Sequence, residues 1–327
     1  MSLAPFIHAM GRGPSRARSL TEEEAQEAMT LILAGKAEPE AVGALLMLMR
    51  YRGETAGEIA GFTRAARTQL SEWAKLGAAL DWPSYAAGRS RGQPLFLLAA
   101  KLIGEAGYPV LLHGWNSHQN PLADVRGALG SVGIPLVRDP AAAKRALARH
   151  RIAYAPLEAM SPRLLELLRL RDILGLRSAV NTVCRMLNPS AARAEVQGVF
   201  HPSYRDLQQD AAGLLDLKDM IVLKGGGGEF ERNPAKDIGL FGLRSGAPYR
   251  ETAPKLLAEH RRLAELGGEA HHLGAIWQGE VSDWFAEQVV IGTASAALLA
   301  LQAAPSITAC EKLARELWGA RARSAAA

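Results

Sequence analysis

The first seventy residues alternate apolar and polar positions with the spacing of helices. Apolar side chains recur from Ala25 to Leu33, preceded by Thr21 and Glu24 in the T-x-x-E order of a capping box. A second helix is predicted from Pro39 to Met49, and a third from Thr55 to Leu70. No strand pattern occurs in this part of the chain. We therefore predict a small N-terminal helical domain over residues 1–78, joined by a later helical segment.

Short apolar runs separated by helical stretches follow. Strands are predicted over residues 109–113, 131–137, 152–155 and 220–224, and helices over residues 94–106, 140–150, 161–174, 206–215, 254–265 and 282–303. Strands that alternate with helices are typical of an α/β domain with a mostly parallel sheet. The predicted fold class is α/β, with this larger domain over residues 79–327.

Composition narrows the class of protein. The 327 residues include 48% hydrophobic and 22% charged side chains, which excludes a disordered chain. Cys184 and Cys310 are the two cysteines, which excludes a disulfide scaffold and a cysteine zinc site.

The longest apolar stretch, residues 289–304, is shorter than the roughly 20 residues of a spanning helix. The N-terminus lacks the order of a secretory signal. We expect a cytoplasmic protein without a membrane partner.

Positive charge is concentrated in the middle of the chain. Residues 138–205 contain twelve Lys or Arg against five acids, whereas the whole protein has a net charge of +5. Eleven of those twelve cations are Arg, whose planar guanidinium binds phosphate in a bidentate manner. The pattern fits either ordinary solvated helix faces or a surface that binds phosphates or a polyanion.

Two loops are candidates for chemistry. The run Gly225–Gly228 follows a predicted strand, and consecutive amides in such a run can hold an anion, although a plain turn is the alternative. His113 and His118 flank a polar loop after another strand. Their spacing gives no shared helical face and no third ligand lies near, so we predict no metal site. A loop that binds sugar, base or phosphate is favoured, and simple hydrogen-bonded loop residues are the alternative.

Several segments together resemble a known family. Residues 21–35 and 43–61, the segment Arg171–Ser178 with Asn181 and residues 187–189, and residues 198–202 resemble anthranilate phosphoribosyltransferases and pyrimidine nucleoside phosphorylases of glycosyltransferase family 3. The resemblance implies a helical domain, a larger α/β domain, a hinge cleft between them and a homodimer formed through the helical domain. Arg171 matches the arginine that binds the acceptor in that family.

The segments that carry the family's chemistry depart from its pattern. The glycine-rich diphosphate loop is replaced by residues 80–88, in which Trp82, Pro83 and Tyr85 bring bulky rings and remove an amide donor. The acidic pair that holds Mg²⁺ in the family aligns with Phe230 and Glu231, so one carboxylate is missing. These departures resemble the YbiB branch of the fold, which implies nucleic-acid binding without the transferase reaction.

The main hypothesis is therefore that the protein is not an enzyme and that it binds single-stranded DNA, or RNA, with little sequence specificity and without a cofactor. The residues expected to contact nucleic acid or phosphate are Arg89, Arg91, Lys101, His113, Arg171, Arg177, Lys224, Gly225, Gly226 and Arg232. The aromatic residues expected to stack on bases are Trp82, Tyr85 and Trp115. The alternative is an active phosphoribosyltransferase that uses phosphoribosyl pyrophosphate and Mg²⁺, with Glu231 at the metal.

Overall fold

The computed structural model describes residues 2–13, 15–86, 92–115, 124–259, 262–263 and 272–321. The α-helices are α1 (Ala4–Gly11), α2 (Glu22–Leu33), α3 (Pro39–Arg52), α4 (Ala56–Thr68), α5 (Phe96–Glu105), α6 (Val125–Leu129), α7 (Pro140–His150), α8 (Leu157–Met160), α9 (Pro162–Leu174), α10 (Val180–Arg185), α11 (Tyr204–Leu214), α12 (His272–Gln278), α13 (Trp284–Ala300) and α14 (Ile307–Ala320). The strands are β1 (Leu80–Ser84), β2 (Val110–Gly114), β3 (Ile152–Pro156), β4 (Ala194–Val199), β5 (Asp219–Lys224), β6 (Ile238–Arg244) and β7 (Ala247–Ala253).

The N-terminal bundle is organised by helix caps and a close helix pair. Both α2 and α4 begin with complete capping boxes, Thr21 with Glu24 and Thr55 with Glu58. Gly61 allows the two helices to touch, because a Cβ there would lie 2.2 Å from the carbonyl oxygen of Glu22. The capping box predicted at Thr21 is thus confirmed.

The larger domain contains a seven-stranded sheet in the order β3-β2-β1-β4-β5-β6-β7. The first five strands in this order are parallel, and β6 and β7 are antiparallel. Helices cover both faces, so the strands β1 to β5 are almost wholly buried. The predicted fold class, a small helical domain with a larger α/β domain and a mostly parallel sheet, is confirmed.

The later helix α9 packs against the N-terminal bundle. Arg163 donates to the carbonyl oxygen of Ile32 at 3.2 Å, and the apolar side of α9 shares one core with α2 and α4. The first strand begins at Leu80. None of the described helices is long and apolar enough to span a bilayer.

Two predicted elements are wrong. Residues 131–137 form a 3-10 turn that ends at Gly133 (φ 68°), followed by a single bridge from Leu136 to Tyr154, instead of a strand. Residues 254–259 are not helical, because the amides of Leu256 and Leu257 donate to the carbonyl oxygen of Pro234. Four strands, β1, β4, β6 and β7, were not predicted.

Candidate functional site

A cleft of about 330 Å³ lies where the helical bundle meets the carboxyl end of β4. Parallel α/β sheets bind ligands at this edge. The described lining residues are Arg50, Arg171, Gly175, Leu176, Arg177, Ser178, Asn181, Thr182, Arg185, Val199, Phe200, His201, Tyr204 and Gln208. Four of these side chains are arginine, and none of the described lining residues is acidic.

Chain geometry brings these arginines together from three separate segments. Arg171 lies in the last turn of α9, which ends at Gly175 in the left-handed conformation (φ 69°). The chain then turns sharply into α10, which carries Arg185 at its end. Arg50 comes from α3 in the bundle. The cleft therefore depends on both domains.

Burial and the charges of neighbouring arginines both disfavour the cation of Arg177 in the cleft. Arg177 makes no hydrogen bond or ion pair with any described residue, and its pKa is lowered by burial and by the nearby charges of Arg185, Arg171 and Arg50. Burial also lowers the pKa of Arg185, and the charge of Glu229 opposes that shift. Its guanidinium donates to the carbonyl oxygens of Asn181 and Tyr85, each at 3.2 Å. An anionic ligand would relieve this repulsion.

Tyr204 links the remaining cation to an acid just outside the cleft. Arg50 donates to the Tyr204 hydroxyl at 3.0 Å, and that hydroxyl donates to Glu54 at 3.4 Å. Burial raises the pKa of Glu54, and the charge of Arg50 opposes that shift. Arg50 is thus oriented toward the cleft through a hydroxyl rather than neutralised by direct contact with a carboxylate.

The glycine turn borders the cleft but does not offer the predicted amides. The Gly225 amide donates to the carbonyl oxygen of Val199 at 3.2 Å, and the Gly226 amide donates to the backbone carbonyl oxygen of Glu231 at 3.3 Å. Because both amides already donate inside the protein, the turn gives no support to phosphate binding by Gly225 and Gly226, which stays a prediction. Gly228 has a positive φ of 97°, which favours glycine, and a Cβ there would make ordinary contacts with Phe200 at 3.5 Å and Arg185 at 3.7 Å.

The end of β1, which aligns with the diphosphate loop of the family, is held by an internal carboxylate. Glu229 accepts a hydrogen bond from the Ser84 hydroxyl at 2.9 Å and from the Ala86 amide at 3.1 Å. Glu231 accepts from the Phe96 amide at 3.0 Å, at the N-terminus of α5. Both carboxylates are buried. They occupy a helix N-terminus and a loop amide that would otherwise suit an anion.

These residues do not fit a Mg²⁺ site. The first position of the sequence pair is Phe230, a core residue whose ring packs edge-to-face on Trp82 with centroids 5.3 Å apart. Glu231 is engaged by the Phe96 amide. Within the described ranges no group of three or more His, Cys, Asp or Glu could hold a metal.

His113 belongs to a buried chain of polar groups instead of the cleft. Its Nδ1 lies 2.8 Å from the Tyr85 hydroxyl and its Nε2 lies 3.2 Å from Asp81. All three side chains are at most 1% exposed. His113 therefore lies apart from the cleft lining, and its contact with phosphate stays a prediction.

Several other residues predicted to contact phosphate or bases lie outside the lining of the cleft. Arg232 is fully buried and pairs with Glu311 at 2.7 Å, and Lys101 donates to the Val132 carbonyl while covering the Trp277 ring. The predicted stacking residues are core residues as well: Trp82 is 0%, Tyr85 is 1% and Trp115 is 9% exposed. Arg89 and Arg91 lie outside the described residues. Lys224 is exposed at the end of β5, paired in register with Val199.

Of the predicted residues, Arg171 and Arg177 meet in the cleft. Arg50, Arg185, Phe200 and His201 were missed. Arg185 was counted in the basic segment, and Phe200 and His201 lie in a segment quoted for the family resemblance. The basic segment itself divides, because Arg145 and Arg149 lie exposed on α7, away from the cleft lining.

Known proteins resemble this chain both in the N-terminal bundle and over the chain as a whole. Residues 4–69 match the helical bundle domain of the glycosyl transferase family. The anthranilate phosphoribosyltransferase of Thermus thermophilus superimposes with a TM-score of 0.78 at 24% identity, over 97% of this chain and 94% of that one. The chain has the anthranilate phosphoribosyltransferase fold.

Sequence relatives with this fold cover most of the chain. The anthranilate phosphoribosyltransferase of Geobacillus sp. (strain WCH70) is 28% identical over 91% of this chain and 89% of the relative. That of Bacillus caldotenax is 29% identical over 70% of this chain and 95% of the relative. The Saccharomyces cerevisiae enzyme, in complex with PRPP and Mg, gives a TM-score of 0.78 at 14% identity, with 97% and 93% coverage. The resemblance to glycosyltransferase family 3 is confirmed for the fold, and the likeness to the YbiB branch stays a prediction.

Proposed function

We propose that the protein binds single-stranded nucleic acid, with little sequence specificity, in the arginine cleft of a transferase fold whose diphosphate site is degenerate. The observation that supports this most is the set Arg50, Arg171, Arg177 and Arg185 in one cleft without an acidic lining residue among those described.

The physical argument is electrostatic. Each phosphate neutralised by an arginine releases counterions, which gives affinity that depends on salt and hardly on sequence. A guanidinium can bind a phosphate through two parallel hydrogen bonds. Arg177 is the strongest candidate, because it has no partner among the described residues and three cations near it.

The filled diphosphate region supports the same proposal. A transferase needs main-chain donors and a metal to hold the leaving diphosphate. Here the amides of Ala86 and Phe96 already donate to Glu229 and Glu231. A diphosphate entering this region would have to displace two buried carboxylates of its own sign of charge.

A titration against a labelled single-stranded oligonucleotide at several salt concentrations tests the proposal. For single strands the slope of log Kobs against log salt is about −0.7 per neutralised phosphate. Arg177→Gln should make that slope shallower by about 0.7 and weaken binding for all sequences alike. The matched control is Arg145→Gln, an exposed arginine on α7 that leaves the cleft unchanged. No measurable binding, or equal effects of the two changes, would overturn the proposal.

The second candidate is phosphoribosyl transfer to anthranilate. It is favoured by the relatives, which are anthranilate phosphoribosyltransferases, and by the presence of Arg171 in the cleft. Turnover of anthranilate with phosphoribosyl pyrophosphate and Mg²⁺, abolished by Arg171→Ala, would establish this function. Absence of turnover in a preparation that binds the oligonucleotide would exclude it.

A further inference from the structure

Two exposed apolar side chains line the same cleft as the arginines. Phe200 is 48% and Leu176 52% exposed, although Val199, directly before Phe200, is buried. An apolar ring left in water at the mouth of a cationic cleft indicates a ligand that has both a negative charge and an apolar face. A nucleotide has both: a phosphate, and a base with an aromatic face that stacks on aromatic side chains.

The Phe200 ring is held in place by its neighbours. It packs edge-to-face on His201, with ring centroids 4.9 Å apart and planes at 81°. Its Cβ and the Arg185 Nη2 both lie within 4 Å of the point that a Cβ of Gly228 would occupy. The turn at Gly228 therefore brings an aromatic ring and a guanidinium within reach of one nucleotide.

We infer that Phe200 is a stacking platform for an unpaired base, with Arg185 and Arg177 on the adjacent phosphates. This inference rests on the proposed function and names the residue that gives the preference for single strands. The bases of a duplex are stacked on one another and cannot offer a face to Phe200. The residues expected from sequence to stack, Trp82, Tyr85 and Trp115, are all buried, whereas Phe200 is exposed.

The test compares Phe200→Leu, which keeps an apolar side chain but removes the ring, with Phe200→Trp, which keeps a ring. Each variant is titrated with an oligothymidylate, with an abasic oligonucleotide of the same length, with a duplex and with inorganic polyphosphate. Thermal unfolding of each variant checks that the fold is unchanged. Loss of one stacked base should weaken oligothymidylate binding by about 5- to 150-fold.

We expect Phe200→Leu to weaken oligothymidylate binding, Phe200→Trp to restore it, and neither to alter binding of the abasic strand or polyphosphate. If Phe200→Leu weakens all four ligands equally, or leaves oligothymidylate binding unchanged while Arg177→Gln weakens it, the stacking role is wrong and the proposed function stands. If the unaltered protein binds polyphosphate but prefers the duplex, the stated selectivity is wrong. If it binds no oligonucleotide, the proposed function and the inference fall together.

Discussion

Arg232 gives a sharp test of the structure against the sequence pattern, which assigned it to phosphate binding. Its side chain is fully buried and makes three contacts: an ion pair with Glu311 at 2.7 Å, a hydrogen bond to the Ser295 hydroxyl at 3.3 Å and a hydrogen bond to the Pro254 carbonyl oxygen. Its backbone amide donates to the Thr293 hydroxyl at 3.0 Å. Burial lowers the pKa of this arginine, and Glu311 opposes that shift. The network joins the segment after β5 to α13 and α14.

Arg232→Met removes the cation and leaves Glu311, which is itself 9% exposed, without its charge partner. Removing one member of a buried ion pair costs about 3–5 kcal/mol. Chemical denaturation, followed by circular dichroism, measures the loss. Arg145→Met, on the exposed face of α7, is the matched control and should change stability by less than about 0.5 kcal/mol.

Two results would refute this reasoning. One is a destabilisation by Arg232→Met below about 1 kcal/mol, which would show that the pair is not the buried network described. The other is a normal unfolding midpoint together with a salt slope reduced as much as in Arg177→Gln. That second result would return Arg232 to the binding surface.

Three further predictions follow from the core and the buried acids. Desolvation, with Asp81 nearby and Arg67 opposing, raises the pKa of Glu195 to about 8. Between about pH 4.5 and 8 the folded state holds a proton that the unfolded state releases. The stabilising contribution of this group is therefore full below about pH 4.5 and is lost as pH rises toward 8. Denaturation at several pH values should show that the free energy of unfolding of Glu195→Gln falls less over this range than that of the unaltered protein. Gly198→Ala should destabilise strongly in thermal unfolding, because its Cβ would lie 2.1–2.3 Å from the backbone of Glu229 and Phe230. A Cβ at Gly213 would have no atom within 4 Å, so Gly213→Ala should instead stabilise α11 by up to about 1 kcal/mol. A Gly213→Ala variant that unfolds at a lower temperature than Gly198→Ala would contradict the packing described.

Periodic segments with local signals could be predicted from the sequence. α2 was predictable because its capping box and apolar spacing act within one segment, and the bounds predicted for α7 agree with the structure. β2, β3 and β5 were predictable as short apolar runs. β4 was not, because its buried positions include Glu195 and Gln197, whose side chains bond to each other in the core.

The candidate site was harder, because it depends on which residues the fold turns inward. In the sequence, Trp82 is an aromatic ring and Arg232 a cation, the residue types expected to bind nucleic acid. Only the fold shows that Trp82 packs on Phe230 and that Arg232 pairs with Glu311 in the core. Arg50 could not be assigned because its partner residues lie more than a hundred positions later in the chain. Arg171 and Arg177 were found because they lie in a segment that resembles the family.

Photo-crosslinking of a bound single-stranded oligonucleotide, followed by mass spectrometry of the crosslinked peptides, tests the central claim most directly. The account predicts crosslinks in residues 171–185 and 199–204, with Phe200 among them, and their loss as salt is raised. Crosslinks confined to the exposed arginines of α7, or displacement of the oligonucleotide by phosphoribosyl pyrophosphate with Mg²⁺ at the end of β1, would contradict it.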